Sequence, residues 1–417
     1  MILNPGQQRI HDAAVHWFKH ESSQLFEITG AAGTGKSVLI FEILKSLGLR
    51  EDQYLAMAYT GQAAIVMRTK GFPAARSIHS SLYEVVEETD NNEINKHFGI
   101  AVKKKYFRKR RFIGNDIKLF FIDEAYMVPE KMVNDIMSFG VKVIVCGDAN
   151  QLPPVGGNPG FLTGYGVYRL TELMRQQAND PIVYLSQRVL QGLPIHNGLY
   201  GNQVLVISED EFDPMMYGLV DVICTCSNKR REEVNSTIRQ LCNYESPLPY
   251  SGERIICRQN NWNIICEGIS LANGLQGYSV NMPKINPDNN KTFFLDFKPD
   301  MTRYVFKDVE MNIDFFCAPH DVKEDMKALV KSDQRRVIPG ELFEYAYACT
   351  AWILQGGEFP RVMFMEEFTR FKDQKPLIYT SITRAKQFLI YVKQNNKKYV
   401  SVPSIPKTYT RNEFLDK

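Results

Sequence analysis

The run Gly30-Ala31-Ala32-Gly33-Thr34-Gly35-Lys36-Ser37 sets an ammonium, hydroxyls and three glycines at the spacing that wraps a polyphosphate. Gly30, Gly33 and Gly35 let the backbone turn its N–H groups, with Thr34 among them, onto phosphate oxygens. Lys36 is expected to reach the β- and γ-phosphates, and the Ser37 hydroxyl to complete a Mg²⁺ shell. A second constellation is Phe120-Phe121-Ile122-Asp123-Glu124, an apolar run ending in two carboxylates. Asp123 is expected to hold Mg²⁺ and Glu124 to polarise an attacking water. A nucleotide kinase has no need of that second carboxylate. A third is Gly147-Asp148-Ala149-Asn150-Gln151, in which Asp148 and Gln151 can approach the γ-phosphate. Taken alone, the second reads as a solvated turn and the third as an ordinary strand exit, whereas behind the P-loop both read as parts of one site. Their order along the chain carries the specificity.

These groups need a scaffold, and the hydrophobic pattern supplies one. Short apolar runs at 25–29, 54–59, 119–122 and 141–146 alternate with helical stretches such as 38–47, the pattern of a parallel sheet covered by helices. After Pro153-Pro154-Val155-Gly156-Gly157 the rhythm restarts with a helix over 181–190, a strand over 220–225 and a helix over 229–242. From about 245 to 340 the chain turns to Pro, Gly, Asn and short alternating runs (277–280 and 302–306), which predicts a small β-rich insert. The parallel pattern returns at 361–365 and 388–392, and the polar tail after 394 contains Pro403 and Pro406.

At 417 residues, 44% hydrophobic and 23% charged, the chain has the length and composition of two or three globular domains. It contains no apolar run of membrane-spanning length and no signal pattern at its start, so a cytoplasmic protein without a membrane partner is expected. Eight scattered cysteines without a C-x-x-C pair read as buried free thiols rather than a zinc or disulfide framework. The net charge of +3 says less than its distribution. Residues 103–111 hold seven cations, and Glu84, Glu87, Glu88, Asp90 and Glu93 precede them. Two readings stand: an exposed hairpin or helix pair whose opposite charges face each other, or a phosphate-contacting surface interleaved with aromatic rings.

In this order the motifs resemble those of superfamily-one helicases, specifically the RecD-like and phage Dda-like branch with 5′-to-3′ polarity. The resemblance extends over nearly the whole chain. Leu3-Asn4-Pro5-Gly6-Gln7 is similar to the adenine-reading motif, with Gln7 the implied contact. Ala58-Tyr59-Thr60-Gly61-Gln62 and Arg76-Ser77-Ile78-His79-Ser80 resemble segments that touch the single strand, which implies Thr60 and His79 as DNA contacts. Leu170-Thr171-Glu172-Leu173-Met174-Arg175-Gln176 and Tyr379-Thr380-Ser381-Ile382-Thr383-Arg384-Ala385-Lys386 resemble the motifs whose arginines, here Arg175 and Arg384, face the γ-phosphate. Permanently charged guanidiniums suit the charge that builds there, and delivery from a second domain makes hydrolysis depend on cleft closure. Gln151 joins the implied catalytic set. In Thr350-Ala351-Trp352-Ile353-Leu354-Gln355-Gly356-Gly357-Glu358-Phe359, the resemblance assigns Thr350 to DNA and Gly356 and Glu358 to nucleotide.

The implied fold is α/β: two RecA-like P-loop domains, parallel sheets flanked by helices, over 1–165 and 166–417. The first carries a pin-like insert at 84–116, the second an SH3-like β insert at 245–340 that begins near Arg254. The implied activity is an ATP- and Mg²⁺-dependent monomeric motor acting on single-stranded DNA and duplex junctions in replication, recombination or repair. Single-strand-binding or replisome proteins are the partners such a motor implies. Phe98, Tyr106 or Phe107 either stack a base at the pin or pack the insert's own core. The family pattern is broken where Trp352 and Ile353 replace a His and a Lys, where Tyr59 and Gln62 replace a Pro and a Lys, and where Tyr126 replaces a Ser. An RNA-directed or non-unwinding translocase and a non-hydrolysing ATP-switched clamp are the rival readings.

Overall fold

The structure is a computed structural model that describes residues 3–90, 102–164, 166–174, 179–332, 338–368 and 374–394. Two mainly parallel six-stranded sheets and one antiparallel sheet organise it. The first sheet has strands β1 (Leu25–Gly30), β2 (Tyr54–Ala58), β3 (Arg76–Ser77), β6 (Leu119–Asp123), β7 (Lys142–Gly147) and β8 (Tyr168–Leu170) in the order β3-β2-β6-β7-β1-β8. The second has β9 (Gly198–Tyr200), β10 (Val204–Ser208), β11 (Val222–Thr225), β20 (Ala348–Thr350), β21 (Phe359–Met365) and β22 (Ala385–Lys393) in the order β20-β11-β21-β22-β10-β9. Only β9 runs antiparallel in it, against β10. Parallel strands covered on both faces must be apolar throughout. In β6 alternate residues divide between two cores: Phe121 packs with Ile28, Leu39 and Ile43, while Phe120 and Ile122 pack with Val143 and Val145. The fold is thus two RecA-like units, each a parallel sheet between helical layers.

Helix boundaries follow local chemistry. Helix α1 (Pro5–His20) opens on a reciprocal Asn4–Gln7 capping box with proline in its first turn. Helix α2 (Lys36–Leu47) leaves the P-loop and stops at Gly48, whose φ of 63° closes the last turn. Helices α3 (Gly61–Thr69) and α4 (Ile78–Leu82) follow β2 and β3, and α5 (Glu130–Met137) follows β6. In the second unit, α6 (Pro181–Gln191) precedes β9 and α7 (Asn228–Leu241) follows β11. No helix among the described residues is long and apolar enough to cross a membrane.

Between α4 and β6 a hairpin, β4 (Tyr83–Asp90) with β5 (Val102–Lys109), leaves the first sheet. Its register sets Glu84 opposite Arg108, Glu87 opposite Lys105 and Glu88 opposite Lys104. The acidic and basic stretches therefore face each other, and Arg108 Nη2 lies 2.9 Å from Glu84 Oε1. Of the candidate pin aromatics, Phe98 lies outside the described residues, as do the side chains of Tyr106 and Phe107.

The antiparallel sheet collects β12 (Arg254–Cys257), β15 (Gln276–Ser279), β16 (Lys284–Ile285), β17 (Thr292–Pro299), β18 (Phe306–Asn312) and β19 (Phe343–Tyr345), while β13 (Asn261–Cys266) and β14 (Ile269–Leu271) form a separate hairpin. Three expectations shift here. Strand β8 pairs with β1, so sheet membership carries the first unit to Leu170 rather than 165. The insert's sheet extends to Tyr345 and its segment includes two helices, α8 (Ile313–Cys317) and α9 (His320–Ser332). The run 302–306 is not a strand: Met301 has φ of 58° and the Thr302 hydroxyl donates to the Pro299 carbonyl, making a reversal that delays β18 to Phe306. Ile65 of α3 is buried in the insert's core, and Arg68 Nη2 donates to the Gly268 carbonyl at 3.1 Å, so the insert leans on the first unit. Cys146, Cys224, Cys226, Cys257 and Cys349 are buried thiols, whereas Cys242 and Cys317 are exposed.

Candidate nucleotide site and strand-facing surface

The P-loop joins β1 to α2 with Gly33 at φ 85° and Gly35 at φ 77°. Both values favour glycine, and a side chain at Gly35 would meet Gln7 Nε2 at 2.5 Å and Met174 Sδ at 2.9 Å. Gly30 is constrained by closeness: a Cβ there would lie 2.5 Å from Thr34 Oγ1. The Thr34 hydroxyl donates to the Ala31 carbonyl at 2.9 Å, and Lys36 Nζ donates to the carbonyls of Gly30 (2.6 Å) and Ala31 (3.1 Å). Gln7 is fully buried. Its amide nitrogen donates to the Thr34 carbonyl at 3.1 Å and its oxygen accepts the Asn4 N–H at 3.0 Å, so it ties α1 to the loop. Beside it opens a cleft of about 180 Å³ lined by Asn4, Pro5, Gly6, Arg9, Arg169 and Glu172.

Asp123 ends β6 and accepts the Glu124 N–H at 2.9 Å. Glu124 sits in the left-handed region at φ 52°, a costly conformation for a non-glycine residue. Burial, reinforced by the neighbouring Asp123 charge, pushes the Glu124 carboxyl above the ordinary range, while Arg384, Lys36 and Lys70 pull the other way. Charges from both sheets therefore converge on this carboxylate. With the Ser37 hydroxyl at the start of α2, Asp123 supplies hard oxygen donors of the kind Mg²⁺ takes. In the loop after β7, Gln151 is buried and its Oε1 has no hydrogen-bond partner among the described residues, a polar atom suited to a ligand.

The second sheet reaches this point through α10 (Ala351–Leu354) and α11 (Lys375–Ile382). The Tyr379 hydroxyl accepts the Ala32 N–H at 2.7 Å and donates to Asp148 Oδ2 at 2.5 Å. Thr380 Oγ1 accepts the Leu152 N–H at 3.0 Å, and Gln355 Nε2 donates to the Leu152 carbonyl at 2.6 Å. Arg384 is buried and donates to the carbonyls of Thr380 and Gly357, each at 2.9 Å. Gly356, at φ 78°, packs so closely that a Cβ would lie 2.8 Å from Ala63 Cβ and 3.3 Å from Thr60 Oγ1. Glu358 is clasped between Lys70 Nζ (2.8 Å) of the first unit and Lys386 Nζ (3.0 Å). Burial would raise its pKa, but the two ammoniums hold it at about 2. Arg175 lies outside the described residues.

The strand-contact candidates stand at the start of α3, in α4 and at the end of β20. Thr60 is the N-cap of α3, its hydroxyl accepting the Ala63 N–H at 3.1 Å. His79 lies between Tyr59 and Tyr83, ring centroids 6.0 and 5.5 Å away, and burial lowers its pKa, so it is a neutral ring among aromatic rings. Thr350 ends β20, buried. Trp352 and Ile353 pack partly buried against the core of the second sheet, which explains how apolar residues stand there. Sequence reading passed over Tyr379, Thr380 and Lys386 as individuals although they lie within a recognised motif; nothing in the sequence marked Lys70.

Two parallel sheets, with the glycine-rich loop on one and a buried arginine following a helix of the other, define a fold of two RecA-like units. The family model for an AAA domain matches residues 2–201. The ATP-dependent RecD2 DNA helicase of Deinococcus radiodurans is 26% identical over 199 residues, 46% of this chain and 24% of that protein. This chain thus spans about a quarter of the length of that relative. The structure of Pif1 helicase from Candida albicans matches with a TM-score of 0.53 at 17% identity, covering 95% of each chain. That of Pif1 helicase from Bacteroides in complex with ADP-AlF3 and ssDNA matches at 0.53 and 15%, covering 97% of this chain and 95% of that one. In motif order the chain is similar to the RecD2 helicase, and in fold to the Pif1 structures.

Proposed function

We propose that this chain is an ATP-dependent DNA helicase that moves 5′ to 3′ along single-stranded DNA and opens duplex, in replication, recombination or repair. The observation that carries this reading is the hold of α11 on the glycine loop of the first sheet, Tyr379 accepting the Ala32 N–H at 2.7 Å with the buried Arg384 just beyond that helix, so that groups of both sheets meet at one cleft. Lys36 and the glycine cradle would hold the triphosphate, Gln7 and the neighbouring cleft would take the adenine, and Ser37 and Asp123 would hold Mg²⁺. That ion would offset phosphate charge when bound. Glu124 would take the proton of the attacking water with Gln151 beside it, and Arg384, with Arg175, would stabilise the γ-phosphoryl charge. Gly356 and Glu358 would transmit nucleotide state across the cleft. Thr60, His79 and Thr350 would line the strand, with neutral His79 favouring stacking over charge pairing.

Closure on ATP and opening after hydrolysis would alternate the grip of the two units, 1–165 and 166–417 with the sheet-based adjustment at Leu170, and so step along the strand. The reading predicts ATP turnover that rises when single-stranded DNA is added and is lost in Lys36→Ala. Turnover in Lys36→Ala equal to that of the wild type would remove the P-loop assignment. DNA-independent turnover would remove the motor.

A further inference from the structure

Tyr379 is fully buried, its ring within the core of the second sheet, yet its hydroxyl leaves that core and ends on two groups of the first unit. One is the Ala32 N–H in the middle of the P-loop; the other is the buried carboxylate of Asp148. The remaining oxygen of Asp148 is taken by the Asn150 backbone N–H (3.0 Å) and Nδ2 (2.9 Å), so among the described residues neutral donors hold both oxygens of this charge. The peptide between Ala31 and Ala32 is gripped from both ends: Tyr379 holds its N–H, while Lys36 and Thr34 hold its carbonyl. A phosphate that draws the Lys36 ammonium off the Ala31 carbonyl therefore acts on the same rigid peptide plane that Tyr379 fixes. Thr380 and Gln355 fasten the Asp148 loop to the second unit at Leu152, so a shift of α11 moves this loop and the peptide together.

We propose that Tyr379 is a positioning residue for the terminal phosphate: its hydroxyl, by linking the Ala31–Ala32 peptide to Asp148, makes the cleft distinguish a nucleoside triphosphate from a diphosphate. This rests on the reading of the P-loop as an ATP site. The group remains a donor at neutral pH, since burial and the facing Asp148 push its pKa up.

The test uses the full chain and Tyr379→Phe, which keeps the ring and removes only the hydroxyl. Affinities for ADP and for a non-hydrolysable ATP analogue are titrated, with kcat and KM measured alongside. The expected result is a loss of roughly tenfold in analogue affinity and in kcat, the scale of one hydrogen bond, with ADP affinity within about twofold of wild type. Asp148→Asn should give the same split, and the double variant should be no worse than the worse single. Equal loss for both nucleotides, wild-type behaviour, or additive effects in the double variant would overturn the proposal. A wild-type chain that binds neither nucleotide would overturn the ATP reading and this proposal together. One that binds both, with Tyr379→Phe unchanged, would overturn Tyr379 alone.

Discussion

A carboxylate that takes a proton from water works best when its own affinity for protons is raised toward the working pH. Burial and the neighbouring Asp123 give Glu124 that raised affinity. Because its proton leaves at higher pH than that of an ordinary carboxyl, ATP turnover should climb with pH through that raised pKa. Glu124→Gln should bind nucleotide as the wild type does but turn over roughly 10²–10⁴-fold more slowly and without that acid limb. An unchanged pH–rate profile in the variant would assign the proton to another group. The P-loop and the Asp123–Glu124 pair were legible because residue type at fixed local spacing defines their geometry. Tyr379, Thr380 and Gln355 were not, because their partners Ala32, Asp148 and Leu152 lie far away in the chain and only the packed cleft brings them together.

Elements were legible where periodicity decides and obscure where packing does. Strands β1, β2, β6 and β7 lie close to their apolar runs, as their burial on both faces requires. Helix α9 was hidden in a segment read as β-rich, and charge ties it to β19: Glu344 on β19 accepts a hydrogen bond from Arg231 Nη1 of α7 at 2.7 Å and forms ion pairs with Arg258 (2.8 Å) and Lys323 of α9 (3.8 Å). Burial alone would raise the Glu344 pKa, yet these cations hold it at about 2, against 4.5 for an unperturbed carboxyl. The stabilisation from this charge is therefore complete above pH 4.5 and is lost as pH falls toward 2. Glu344→Gln leaves buried cations uncompensated and should cost about 3–5 kcal/mol at neutral pH, read from denaturant midpoints. The gap to wild type should narrow in acid; a pH-independent gap would mean that packing, not charge, sets the cost.

At the scale of the whole molecule, the account depends on two units that close on each other when nucleotide binds. Gly356 marks where they meet, its open side filled by Ala63 and Thr60 of α3. Gly356→Ala adds a methyl where none fits and strains a positive φ, so it should hold the units apart. DNA-stimulated ATP turnover should fall at least several-fold while nucleotide binding stays close to wild type; full stimulation would mean the contact carries no signal. The two-sheet architecture was visible in the sequence, whereas the lean of the insert on α3 through Ile65 and Arg68 was not, since an apolar helix face does not name its partner. The most direct test of the central claim is strand displacement by the full chain on duplexes with a 5′ or a 3′ single-stranded tail, with ATP and Mg²⁺ present. The account predicts displacement from the 5′-tailed duplex, none from the 3′-tailed one, and none from either with Lys36→Ala. Displacement from the 3′ tail alone, or ATP turnover without any displacement, would contradict it.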